Sequence, residues 1–270
     1  MSAHGPGWVP CHAGRRHRRL RWTAPRSRRQ EPPLNHEPST THESPEQIDD
    51  EIARFASVAS HDLRNPLATL RGFLDLVVEE EELSEFGSHL VGRALDVADR
   101  MRLLVDAIGT YGRARRLPLA RDPVELDEVL ATARAGLAAE LDVAHASFEV
   151  EQLPTVLGDL DALVEVVRHV LDNAVRYVEP DATPVVRVAG SVGADGVVLR
   201  VDDHGPGLPD GTETSVFEPF SKTINSRGHN TTGLGLATSR VFVERMGGTI
   251  GASAGPGGAG TRITITLPSA

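Results

Sequence analysis

Apolar residues recur in steps of three and four along two neighbouring stretches in the first half of the chain. A helix-start signal, "SPEQ", precedes the first stretch: Ser44 can cap the helix and Pro45 can take its first position. This spacing places the apolar residues of each stretch along one stripe of an α-helix. The two stripes are Ile52, Phe55, Ala59, Leu63, Leu67, Leu70, Leu74 and Val77, and then Phe86, Leu90, Ala94, Val97, Met101, Leu104 and Ile108.

The acidic run at 79–82 separates the two predicted helices, so they should form an antiparallel hairpin. One hairpin alone cannot bury both stripes. We therefore expect a second copy to pack against it as a homodimeric four-helix bundle. Basic residues and two prolines follow Gly112, and we place the linker at 113–123, which leaves 46–112 as the hairpin domain.

Strand-like and helical runs alternate over residues 124–270. The strand-like runs are "ASFEVEQL", "PVVRVAG", "GVVLRVDD" and "TRITITLP", and the helical runs are "ELDEVLATARAGLAAEL", "GDLDALVEVVRHVLDNAVRYV" and "LGLATSRVFVERMGG". Strands closed by Gly and Asp turns, with helices between them, predict a mixed sheet covered by helices on one face. The predicted fold class is therefore α+β, with a helical hairpin followed by an α/β sandwich.

Charge distinguishes the N-terminal segment from the rest of the chain. Residues 1–30 contain eight arginines and no acidic residue, although the whole chain of 270 residues has a formal net charge of −10. Residues 1–45 are rich in Pro, Arg, Ser and His without periodicity, and we predict a disordered basic arm. The acidic remainder argues against specific nucleic-acid binding.

Composition also limits the environment of the protein. No run of about 18 apolar residues is present, and the N-terminus lacks a secretory signal, so we expect a cytoplasmic protein without a membrane span. The single cysteine, Cys11, excludes an internal disulfide and a cysteine-based zinc site.

The stretch "SHDLRNPL", Ser60 to Leu67, combines a histidine, an acid and a proline within the first predicted helix. His61 lies about 200° around the helix from Ala59 and should be exposed to solvent. Pro66 has no N–H for the carbonyl of Asp62, so the helix should bend just after His61. Asp62 can accept a hydrogen bond from one ring nitrogen of His61. This contact favours the tautomer in which the other nitrogen keeps a free lone pair and can act as a nucleophile. Taken alone, the octapeptide is also compatible with a surface histidine beside a helix kink.

Three further polar stretches follow the hairpin. "HVLDNAVRYV" places Asn173 and Arg176 on one helix face, and "TTGLGLATSRVFVERMGG" opens a helix whose N-terminal amides can hold phosphate oxygens. Between them, "VDDHGPGLP" closes a strand with an acid and a tight turn. Asp203 follows Asn173 by 30 residues, which leaves room for one strand hairpin.

In this order, over residues 51–267, the four stretches resemble the H, N, G1 and G2 boxes of the sensor histidine kinases of two-component systems. The resemblance implies the Bergerat ATP-binding fold of the GHKL ATPases, and ATP with Mg²⁺ as cofactors. It further implies that His61 accepts the γ-phosphoryl group with Asp62 as general base. His61 would then pass the phosphoryl group to an aspartate of a response regulator receiver domain. Asn65 would position a water for phosphatase activity on that regulator.

The same resemblance assigns the nucleotide contacts. Asn173 would hold Mg²⁺ against the phosphates, since an amide oxygen is a suitable hard ligand, and Arg176 would contact phosphate. Asp203 would accept from the adenine amino group. The remaining predicted contacts are Gly205 and Gly207 beside the base, Gly233 and Gly235 at the phosphates, and Lys222 or Arg227 in a mobile lid, "VFEPFSKTINSRGHN".

The chain departs from the family pattern at His169, where an asparagine is common, and imidazole is a poorer Mg²⁺ ligand than an oxygen. The sequence before the hairpin shows no sensor domain, so we expect the signal to come from an upstream sensor protein, from the short N-terminal segment, or from no source at all. Two alternatives stay open: a non-catalytic dimeric nucleotide-binding adaptor, and a histidine phosphotransfer protein that needs His61 but not ATP.

Overall fold

The computed structural model describes residues 45–80, 83–179, 182–221 and 231–270. The predicted basic arm, apart from its last residue, lies outside these ranges. Ser44, Lys222 and Arg227 also lie outside them, and their predicted roles stay predictions.

Two long helices form the predicted hairpin. Helix α1 spans Pro45–Glu80 and helix α2 spans Glu85–Ala114. Helix α1 begins at Pro45 as predicted and continues through Pro66, where the predicted bend stays a prediction. Helix α2 is capped by Ser84, whose hydroxyl accepts from the Gly87 amide at 3.1 Å. Helix α2 ends at Ala114, two residues beyond Gly112, which is the predicted end of the hairpin domain.

The hairpin leaves many large apolar side chains exposed. Leu67 of the first predicted stripe is buried, and Ala59 and Leu74 are half-buried. The exposed apolar residues are Val58, Leu63, Leu70, Phe73, Leu76, Val77 and Val78 on α1, and Phe86, Leu90, Val97, Met101 and Leu103 on α2. An apolar surface of this extent is typical of an interaction site. Among the helices that the structure describes, none is both long and apolar enough to cross a membrane.

The rest of the described chain alternates strands and helices. Its strands are β1 (Asp122–Glu125), β2 (Ser147–Val150), β3 (Thr155–Gly158), β4 (Val185–Gly193), β5 (Gly196–Asp202), β6 (Thr249–Ala254) and β7 (Thr261–Leu267). Its helices are α3 (Leu126–Ala135), α4 (Ala138–Val143), α5 (Leu160–Arg176) and α6 (Gly235–Arg245).

Five strands form a mixed sheet in the order β2-β4-β5-β7-β6, and β1 pairs with β3 separately. Strands β2 and β4 are parallel, and the other neighbours in the sheet are antiparallel. Val188, Val201 and Ile263 lie side by side across three strands and are buried on one face. The buried core joins these residues to α3, α5 and α6, so the predicted α/β sandwich with helices on one face is correct.

Three strands and one helix break were not predicted. Strand β6, "TIGASA", consists mostly of small residues with low β-propensity. Its hydrogen-bonded pairing with β7 stabilises the strand, and this pairing is not visible in the local sequence. Strands β1 and β3 are four residues each, and they pair with each other in an antiparallel ladder. The predicted single helical run "ELDEVLATARAGLAAEL" divides at Gly136, which ends α3.

The segment between α2 and β1 is fastened to α6. Arg245 donates from Nη1 to the Ala114 carbonyl at 2.5 Å and from Nη2 to the Leu117 carbonyl at 2.7 Å. The Ala114 carbonyl lies at the C-terminal end of α2, where a cation is favourable. Nearby, the Ala120 amide donates to Asp159 at 2.9 Å.

Arg245→Ala is expected to raise the rate of tryptic cleavage within 115–121 at least about fivefold, because losing two hydrogen bonds favours local opening. Limited proteolysis of the full chain measures this rate. Arg187→Ala is the matched control, since Arg187 is a half-buried arginine paired with Glu149 on the sheet. Equal cleavage rates in the two variants would contradict the fastening role of Arg245.

Candidate functional site

A cavity of about 600 Å³ lies between α5, α6, the end of β5 and helix α2. Six of the predicted nucleotide contacts line it: Asn173, Arg176, Asp203, Gly207, Gly233 and Gly235. These residues are spread over more than 60 positions of the chain, and the fold brings them to one place.

Asp203 follows the last residue of β5 and closes its turn. Its Oδ1 accepts from the backbone amides of Gly205 and Thr261, each at 2.9 Å. Burial raises the pKa of the Asp203 carboxyl above its ordinary value, although these hydrogen bonds oppose the rise. Gly205 is buried and is not among the residues that line the cavity, and a side chain there would collide with the Tyr177 carbonyl.

The turn before α6 requires a glycine at 233. Gly233 has φ +70°, and a Cβ there would lie 2.8 Å from the Ser221 carbonyl oxygen. The Phe220 amide donates to the Gly233 carbonyl at 2.9 Å. Helix α6 therefore begins at Gly235 with its N-terminus on the cavity wall, the geometry that favours an anionic group.

Helix α5 contributes Asn173 and Arg176 to the cavity. Arg176 donates from Nη2 to Asp172 Oδ1 at 2.5 Å and from Nε to Oδ2 at 3.3 Å, one turn back on the same helix. A bound phosphate would therefore compete with Asp172 for the guanidinium.

The donor set of the cavity fits Mg²⁺ bound chiefly through nucleotide phosphates. Within the described ranges, no group of three or more His, Cys, Asp or Glu residues could hold a metal ion by itself. Mg²⁺ does not need one, since it usually takes one or two protein oxygens together with waters and substrate phosphates. The amide oxygen of Asn173 can supply such a ligand.

His61 is exposed on α1, with 76% of its side chain accessible, as predicted. Its Nδ1 lies 3.2 Å from Asp62 Oδ1, so the predicted contact between these neighbours is present. Asn65, one turn further on, is also exposed. In the part of the chain that the structure describes, the cavity lining does not include His61, Asp62 or Asn65. The predicted site residues therefore form two separate groups.

Helix α2 supplies a wall of the cavity that sequence reasoning missed. Leu103, Asp106, Ala107 and Thr110 line it opposite the nucleotide motifs. Asp106 also accepts a hydrogen bond from Nε of Arg64 on α1, at 2.6 Å. Arg64 lies three residues after His61. Nothing local in the α2 sequence marks these positions, because the contact depends on how the hairpin meets the sheet domain.

Comparisons with known proteins agree with this architecture. Residues 51–116 match the His Kinase A (phospho-acceptor) domain, and residues 158–270 match the histidine kinase-, DNA gyrase B- and HSP90-like ATPase family. "Probable sensor histidine kinase TcrY" of Mycobacterium tuberculosis (strain ATCC 25618 / H37Rv) is 32% identical over 221 residues, which cover 80% of this chain and 46% of TcrY.

Two further similarities extend the comparison. The sensory histidine kinase/phosphatase NtrB of Rhodobacter capsulatus is 29% identical over 253 residues, covering 84% of this chain and 68% of NtrB. The crystal structure of full-length ShkA in complex with AMPPNP superposes with a TM-score of 0.63 at 24% identity. It covers 80% of this chain and 46% of ShkA, and it shows the shared fold.

A phospho-acceptor hairpin joined to a GHKL-type ATP-binding domain defines the class of protein. The chain belongs to the sensor histidine kinases of two-component systems. It spans less than half of TcrY and about half of CutS from Streptomyces coelicolor.

Proposed function

We propose that the chain is an ATP-dependent protein histidine kinase that phosphorylates itself on His61 and passes the phosphoryl group to an aspartate of a response regulator receiver domain. One observation carries the proposal: the hairpin that exposes the His61–Asp62 pair also forms, through α2, a wall of the nucleotide cavity. The complex of full-length ShkA with AMPPNP supports ATP as the nucleotide.

Within the cavity, Asp203 would accept a hydrogen bond from the adenine amino group. The phosphates would then extend towards the N-terminus of α6 and Asn173. Mg²⁺, when bound, neutralises part of the phosphate charge. Arg176 would exchange Asp172 for a phosphate oxygen, and Gly205 and Gly207 shape the turn beside the base. Lys222 or Arg227 of the lid is proposed to reach the phosphates as well.

In the transfer step, one bond forms between a ring nitrogen of His61 and the γ-phosphorus, and the bond from that phosphorus to the ADP oxygen breaks. Asp62 contacts Nδ1, so Nε2 is the nitrogen that we expect to attack, and Asp62 receives the Nδ1 proton as general base. Asn65 would position a water when the same hairpin removes phosphate from the regulator.

The transfer requires the two groups of site residues to approach each other, because His61 does not line the cavity. We propose the division into hairpin 46–112, linker 113–123 and ATP-binding domain 124–270, with hinge motion after Gly112. The Arg245 contacts with Ala114 and Leu117 would open during that motion. Use of ATP and a receiver domain would place the reaction in the cytoplasm, with an upstream sensor protein as the source of the signal.

The exposed apolar surface of the hairpin supports a homodimer in which two hairpins form a four-helix bundle. Leu70, on the predicted stripe, is 46% exposed in the single chain. Such a side chain gains burial when a second apolar surface covers it.

Leu70→Glu is expected to weaken dimerisation at least about 100-fold, since the interface would have to bury an unpaired charge. Sedimentation equilibrium of the full chain measures the dissociation constant. Thr69→Glu, at the neighbouring exposed position, is the matched control and should change it little. A Leu70→Glu chain that dimerises like the parent would contradict this interface.

Incubation of the full chain with Mg²⁺ and γ-labelled ATP tests the proposed activity. We expect acid-labile label approaching one phosphoryl group per chain. Bound ATP without any label on the protein would instead favour a nucleotide-binding adaptor.

A further inference from the structure

His169 lies at the junction of α5 and α6, directly against the cavity. Its side chain is only 15% exposed. A Cβ placed on Gly235, the first residue of α6, would lie 3.3 Å from Cδ2 and 3.4 Å from Cγ of the His169 ring. The imidazole therefore packs against the helix start that is proposed to receive the phosphates.

On the α6 side, Nδ1 of His169 lies 3.4 Å from Ser239 Oγ. Ser239 is fully buried, and its hydroxyl donates to the Gly235 carbonyl at 3.0 Å. The imidazole thus contacts the first turn of α6 twice, once through the ring face and once through Ser239.

On the α5 side, Nε2 of His169 lies 3.3 Å from Glu165 Oε1 and 3.2 Å from Arg168 Nη2. Arg168 also donates to both carboxylate oxygens of Glu165, at 2.9 and 2.7 Å. Burial alone would raise the pKa of Glu165, but its hydrogen bonds with His169 and Arg168 lower that pKa well below its ordinary value. Glu165 therefore remains a carboxylate anchor for this cluster.

We propose that His169 is a positioning residue of the nucleotide site, which holds the N-terminus of α6 against α5, and that it is not a metal ligand. The inference rests on the proposed function and assigns a role to the residue at which this chain departs from its family. Both ring nitrogens have protein partners, so coordination of a metal would disrupt one of these contacts. Asn173 is then the α5 side chain that remains for Mg²⁺.

The two roles predict opposite responses of ADP binding to His169→Ala. As a positioning residue, His169 matters even without metal, so the variant should bind ADP about 10-fold more weakly in EDTA. The Mg²⁺ concentration that gives half of the metal-dependent gain in affinity should stay the same. A metal ligand would leave ADP binding in EDTA unchanged and raise that Mg²⁺ concentration. Calorimetry on the full chain measures both quantities.

Ser239→Ala approaches the same contact from α6 without altering α5, and it keeps the test decisive if His169→Ala fails to fold. It should weaken ADP binding in EDTA about threefold. Because His169 acts partly through Ser239, the double variant should be weaker by less than the product of the two single effects. His89→Ala, at an exposed histidine on α2, is the control and should leave ADP binding unchanged.

The outcomes separate this inference from the proposed function. A parent chain that binds no ADP or ATP would overturn the proposed function. A parent that binds ADP, with an unchanged affinity in EDTA for both single variants, would overturn the positioning role of His169 alone. A raised Mg²⁺ requirement in His169→Ala, with intact binding in EDTA, would overturn it in favour of a metal ligand.

Discussion

His61→Gln is expected to bind ATP as tightly as the parent chain and to lose phosphorylation by at least about a thousandfold. The loss follows because glutamine has no nucleophilic ring nitrogen for the γ-phosphorus. ATP binding should persist because His61 is exposed on α1 and is not part of the described cavity lining. Quantifying protein-bound label and ATP affinity on the same preparations measures both effects.

The control for this variant is His89→Gln, which changes an exposed histidine on the second helix of the same hairpin. It should be labelled at the rate of the parent. Label that survives in His61→Gln at more than a few per cent of the parent level would mean that another residue accepts the phosphoryl group.

Asp203→Asn is expected to weaken ATP binding about 100-fold and to abolish labelling at micromolar ATP. A hydrogen bond to a charged group contributes about 1.5–3 kcal/mol, and every 1.4 kcal/mol corresponds to about tenfold in affinity. The substitution also places an NH₂ donor where the adenine amino group needs an acceptor. Calorimetric titration with ATP measures the change.

Asparagine is preferable to alanine at 203 because it keeps an oxygen for the Gly205 and Thr261 amides that the carboxylate now binds. The melting temperature should therefore stay close to that of the parent. Asp195→Asn, at an exposed position in the turn between β4 and β5, is the matched control. If Asp203→Asn bound ATP with parental affinity, the base would lie elsewhere.

Local chemistry explains which parts of the site the sequence predicted. The contact between His61 and Asp62 joins adjacent residues, and the hydrogen bond from the Gly205 amide to Asp203 spans two positions. Helical periodicity similarly predicted α1 and α2, because each has an apolar stripe that packs against a neighbour. Such features depend on a few consecutive residues.

Features that depend on long-range contacts were not predictable in this way. The α2 wall of the cavity and the bond from Arg245 to Ala114, 131 residues apart, arise only when the hairpin and the sheet domain meet. The environment of His169 was missed for the same reason, since Ser239 lies 70 residues away. From sequence alone, His169 could be judged only as a poor metal ligand. The structure adds Ser239 and Gly235 as its contacts.

The most direct test of the central claim is the location of the phosphoryl group after the full chain reacts with Mg²⁺ and ATP. Mass spectrometry of peptides prepared at alkaline pH, without acid, preserves phosphohistidine and can assign the modified residue. The proposed mechanism predicts one modification of 80 Da, about the mass of HPO₃, on His61. A chain that binds ATP but remains unmodified, or that carries its phosphoryl group on a serine or threonine, would contradict it.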